Sequence, residues 1–139
     1  MLLTLSSGVK GYTTIHAGSA RQALSRLRFI CQLAGAANEL SLAALNSLVS
    51  EAVDIVVHSV RAGDRVLVTE VVAVEELRGG PESTTFTVTD LFRRERPDQP
   101  LRWTGNLPVL ALPGLEAAGY DVRGLVGSGG NGDGARVRR

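Results

Sequence analysis

Chemistry in this chain has few possible carriers, because the 139 residues include two histidines and one cysteine. His16 is the strongest candidate. It closes the stretch Tyr12 to His16, whose alternation predicts a short strand with Tyr12, Thr14 and His16 on one face. An imidazole at the carboxyl end of a strand can donate to a phosphate oxygen or orient a water. Thr14 shares that face and can reach the same ligand shell. Arg21 falls in the first turn of the helix that follows, where a cation opposes the helix dipole and so calls for another task. Arg26 reads equally well as a solvated side chain. Ser19 is a helix cap first and an anion contact second. His58 lies inside an apolar strand run and reads as structural. Neither histidine stands at metal-ligand spacing from the other or from Cys31. Cys31 lies on an apolar helix stripe, as a small core residue.

The elements that must place these residues are legible from capping and periodicity. Ser19 with Gln22 three positions on forms a capping box, so a helix begins at Ala20. Its buried stripe is Ala20, Ala23, Leu24, Leu27, Ile30, Cys31 and Ala34, as far as Gly35. Strand followed by helix is the unit of α/β sheets, which bind ligands beyond their strands' carboxyl ends. Ser41 caps a second helix that buries Leu42, Leu45, Leu48, Val49 and Ala52. Residues 53 to 60 and 66 to 74 read as a β-hairpin turning through Arg61 to Arg65. A third antiparallel strand is expected at Thr84 to Thr89. The regular core should end within the charged, proline-containing stretch Arg93 to Pro100, whose Arg93, Arg94 and Arg96 form a solvated face. Leu115 to Ala118 can form one turn stopped by Gly119. Met1 to Ser7 reads as a helix end, and Gly127 to Arg139 as a disordered tail.

Net charge is +1, from 15 basic and 14 acidic residues, which offers no electrostatic case for nucleic acid as partner. One cysteine supports neither a disulfide framework nor a thiolate zinc site. No apolar run approaches the ~20 residues that span a bilayer, and the start lacks the pattern of a signal peptide. The expected setting is the cytoplasm.

Thr13-Thr14-Ile15-His16-Ala17, followed by Ser19, Arg21, Ala23-Leu24 and Arg26-Leu27, resembles the histidine box of the type II/IV secretion ATPase superfamily, and most closely its CpaF-like (Flp/Tad pilus) branch. The similarity continues in Glu51 to His58, Val68-Thr69-Glu70-Val71 and Thr89 to Arg93, in the family's order. Gly18 stands where the family usually has asparagine, and Tyr12 where a smaller residue is common. Both glycine and asparagine accept positive φ, so a sharp strand-to-helix loop is expected to survive. The resemblance implies the C-terminal part of a RecA-like P-loop NTPase domain, an α/β fold with an antiparallel β-edge. Residues 1–93 would form that part, 94–126 a C-terminal extension and 127–139 the tail. His16 and Thr14 would sense the terminal phosphate, and Thr13, Arg21 and Arg26 would contact nucleotide. ATP and Mg2+ are the implied cofactors, although none is expected for this chain alone. The implied partners are copies of itself in a homo-hexamer and inner-membrane platform proteins, with no nucleic acid and no direct membrane insertion. The implied location is cytoplasmic, peripheral to the inner face of the membrane.

No Gly-x-x-x-x-Gly-Lys-Ser/Thr occurs in the sequence, and that loop supplies the phosphate cradle, its lysine and the magnesium hydroxyl. In the resembling ATPases it precedes the histidine box, so the chain is expected to be a C-terminal portion without hydrolytic activity of its own. The competing reading is a non-catalytic interaction module or degenerate paralogue that binds a ring ATPase or its partner.

Overall fold

A computed structural model describes residues 11–33, 40–75, 85–122 and 124. The expected helix end at Met1 to Ser7 and the tail from Gly127 lie outside them. The elements are α1 (Ala20–Leu33), α2 (Leu42–Ala52), β1 (Ile55–Ala62), β2 (Arg65–Val74), β3 (Val88–Arg93), β4 (Arg102–Trp103) and α3 (Leu112–Ala117). The protein is a small α/β fold, with one four-stranded antiparallel meander in the order β1-β2-β3-β4.

Both long helices start where capping chemistry dictates. The Ser19 hydroxyl accepts from the Gln22 N–H at 3.1 Å, and Ser41 does the same for Ala44 at 3.2 Å. The reciprocal half of the first box is displaced by one residue, since Gln22 Oε1 takes the N–H of Gly18. Gly18 is not among the described glycines with positive φ, which are Gly63, Gly105 and Gly119. A Cβ at Gly18 would instead meet Gln22 Oε1 at 2.9 Å. The side chain at position 18 thus trades against the glutamine cap.

The hairpin turns through Gly63 and Asp64, and only the glycine takes positive φ (62°). That is the pattern of a type II′ turn, in which the first central residue must be glycine. β2 then runs antiparallel to β1, with a bulge that sets Thr69 between the pairs Ser59↔Val68 and His58↔Glu70. The bulge shifts the side-chain alternation, so Leu67 and Val72 reach one face although five positions apart.

The core joins Leu24 of α1, Val49 of α2 and Val74 of β2, with Leu27, Val53, Val56, Phe86 and Val88 packed around them. Asn46 is fully buried in α2, and its Oδ1 accepts from Arg28 Nη1 at 2.9 Å. The Arg28 guanidinium also lies 5.7 Å from the Phe86 ring centre, a cation–π distance. One cation thus links both helices to the segment entering β3. The predicted helix stripes hold at their centres and fail at their outer ends: Ile30 is 46% and Leu42 44% exposed.

Two expectations about the chain beyond β2 change. β3 begins at Val88, four residues after the expected start, because Val74, Ala73 and Val72 find their partners at Val88, Thr89 and Asp90. The sheet also continues beyond Arg93, for Phe92 and Arg93 pair with Trp103 and Arg102. Thr104 N–H donates to Leu91 O at 2.9 Å and extends the attachment. α3 ends at Ala117, and Gly119 (φ 85°) follows its C-cap Ala118, where the sequence placed the stop. Among the described residues no helix is long and apolar enough to cross a membrane.

Candidate functional site

The segment carrying His16 is not a strand: residues 11–17 join no ladder. β-structure needs a bonded neighbour, and β1, which pairs with β2, meets this segment only across a cleft. The cleft holds about 640 Å³ between residues 11–17, the start of α1 and residues 52–59. Tyr12, Thr13, Thr14 and His16 are all exposed there, so the expected division into two faces is not seen before Ile15.

The His16 ring makes no hydrogen bond to a described residue, and the same holds for the side chains of Thr13 and Thr14. His16 and Thr14 line the cleft together with Thr13. Arg21 and Arg26 are exposed on α1 and are not among the residues lining it. The proposed nucleotide set is thus divided: the two threonines and the histidine share one opening, and the arginines stand apart.

What fixes this opening comes from the sheet. His58 Nε2 lies 3.2 Å from Ala17 O, and its Nδ1 lies 2.8 Å from Thr69 Oγ1. A carbonyl can only accept, so Nε2 carries a proton and donates to Ala17 O, while Nδ1 is held against the threonine hydroxyl. Glu70 Oε2 accepts from Ala20 N–H at 3.0 Å, placing a carboxylate on the first turn of α1. A negative charge is favoured at that end of a helix. With Ser19 Oγ on the Gln22 N–H and Gln22 Oε1 on the Gly18 N–H, alternate backbone donors from 18 to 22 already have acceptors. Ser19 is therefore committed to its cap, and an incoming anion would have to displace Glu70 to use this helix end.

His58 thus has the structural attachment its apolar surroundings suggested, but it holds the loop of the other histidine. Sequence reasoning passed over Glu70 as a site residue. Its signal was a single acidic side chain inside the otherwise β-forming run Val66 to Val74. Arg93 and Arg96 of the arginine cluster are exposed, as a solvated face implies, and their ion pairs are surface pairs, whereas Arg94 is half-buried. Arg93 pairs with Asp90 and Glu95, Arg96 pairs with Asp98, and Arg94 donates to the carbonyls of Val68 and Gln99.

For ATP and Mg2+ the fit is partial. Thr14 and His16 offer polar groups for the edge of a phosphate, whereas the helix end behind them is taken by Glu70. Among the described residues no group of three His, Cys, Asp or Glu could hold a metal ion. Compared with known proteins, the chain matches no family model, no curated protein and no solved structure.

Proposed function

We propose that this chain is the C-terminal portion of a RecA-like motor ATPase of the type II/IV secretion superfamily, in its CpaF-like pilus-assembly branch. Its role there is to bring His16 and Thr14 to the terminal phosphate of ATP bound by polypeptide outside these 139 residues. The observation that carries this reading is convergence. The stretches in which the resemblance lies are separate in sequence, yet His58 from the second and Glu70 from the third bond the loop of the first. The fourth pairs along β2, with Val72 facing Asp90 and Val71 facing Phe92. An exposed imidazole on a loop held from behind is suited to a ligand that approaches from outside the chain.

The decisive test is to translate the DNA upstream of Met1 in frame. A P-loop and Walker B acid are expected, and in the complete hexamer His16→Ala should lower kcat at least 100-fold with KM for ATP little changed. A stop codon with its own ribosome-binding site would overturn the motor reading. The chain by itself should not hydrolyse ATP, and turnover abolished by His16→Ala in a pure preparation would refute that.

A second reading, a non-catalytic module that binds a ring ATPase or its partner, is favoured by exposed apolar side chains at adjoining helix ends. These are Phe29, Ile30 and Leu33 of α1 with Leu40 and Leu42, and apolar groups of this kind mark interaction surfaces. Co-purification with a full-length ATPase at fixed stoichiometry would favour it. In either case we place the protein in the cytoplasm, at the inner face of the membrane.

A further inference from the structure

We propose that His58, Thr69 and Glu70 are positioning residues for His16, brought to one place by the bulge in β2. This rests on the reading of His16 as the phosphate-sensing group. In a regular ladder Thr69 and Glu70 would point to opposite faces of the sheet. The bulge opposes both of them to His58, with Thr69 as the extra residue, and a bulge re-aims side chains in this manner. Thr69 Oγ1 lies 2.8 Å from His58 Nδ1 and 3.3 Å from the His58 carbonyl. The imidazole is thereby oriented with Nε2 toward Ala17 O, while Glu70 holds the Ala20 N–H. The loop of Ala17, Gly18 and Ser19 is grasped at both ends, directly after His16.

The arrangement also selects what can approach. Glu70 fills the donor that an anion would otherwise use at the start of α1. Its charge repels a phosphate from that helix end, leaving the exposed His16 and Thr14 as the place of contact. The three residues touch no substrate in this scheme. They act through the loop.

The test is site-resolved amide hydrogen exchange on the full chain, with the His16 ring signal followed by NMR and no nucleotide present. In Glu70→Ala and His58→Leu, exchange at Gly18 and Ala20 should rise roughly tenfold, the effect of losing about one charge-assisted bond. Amides of β1 and β2 should keep their protection, and the His16 ring signal should shift. Glu70→Gln retains an acceptor and His58→Gln a donor, so both should restore slow exchange. Thr69→Val keeps the branched shape and should give an intermediate rise even if the harsher variants fail to fold. Unchanged exchange at Ala20, or an equal rise throughout β1 and β2, would overturn the proposal. Failure of the sensing role would appear separately, as full activity of His16→Ala in the hexamer with the loop still tightly held.

Discussion

The loop before α1 and the coil before α3 are each fastened by a glutamate, Glu70 within β2 and Glu75 directly after it, but with different strength. Glu70 gives one oxygen, to Ala20 N–H, from a half-buried position. Glu75 is buried and gives both, Oε1 to Val109 N–H at 3.2 Å and Oε2 to Leu110 N–H at 3.3 Å. Alternation puts Ala73 and Glu75 on the face opposite Val72 and Val74, and all four are buried, so the end of β2 is covered on both sides. The coil has further ties: Asn106 Nδ2 donates to Asp90 O at 3.0 Å, and Trp103 Nε1 donates to Asn106 O at 2.8 Å. One segment is tied down at several points along its length, although most of its residues are exposed. The other is held by a few side-chain bonds, with its polar residues turned outward.

The comparison can be broken most forcefully at the core that supports both regions. Leu24→Ala removes a side chain enclosed by Val49 and Val74 and should cost about 3 kcal/mol in urea unfolding, chiefly as transfer and cavity terms. Glu75→Ala should follow at about 2 kcal/mol, since two part-buried hydrogen bonds from backbone N–H groups to one carboxylate are lost. Its increased exchange should be confined to residues near 109 and 110. Glu70→Ala should cost about 1 kcal/mol. The two glutamates share no partner and lie roughly 16 Å apart along the strand, so the double variant should be additive within about 0.5 kcal/mol. His16→Ala should leave the unfolding midpoint almost unmoved, because its ring is exposed.

The smallest effect concerns pH. Burial raises the Cys31 thiol above its ordinary value. The unfolded chain therefore ionises first as pH rises, and this residue's contribution to stability is lost from about pH 9 upward, through the higher folded pKa. Alkylation of the folded protein should lag behind that of a free thiol at pH 8, and converge with it in denaturant.

Local chemistry made the helices and the hairpin legible. Ser19, Ser41 and Gly63 each act within three or four residues, and α1, α2 and the β1–β2 turn lie where those residues indicate. What could not be read were long-range choices. Tyr12 to His16 has strand alternation, but alternation does not provide an edge to bond to. β3 starts at Val88 because β2 selects it, and nothing in Thr84 to Thr89 alone marks that offset. Of the candidate site, His16 and Thr14 were visible by type and position. Their supports were not, because Glu70 reaches Ala20 across fifty residues and His58 reaches Ala17 across forty-one. Arg21 was singled out for opposing the helix dipole, yet Glu70 supplies the negative charge that offsets it.

The extra residue in β2 also bears on how such a chain can change over generations. Removal of the single codon for Thr69 would leave Ser59 opposite Val68 and His58 opposite Glu70, so the hairpin would close over the gap without sliding. Most single-residue deletions within a strand put every later side chain on the wrong face. Here the excision would leave Val72 and Val74 in the core and remove only the hydroxyl that orients His58. A lineage could thus discard the control of the loop in one step and keep a foldable scaffold, or acquire that control by one insertion.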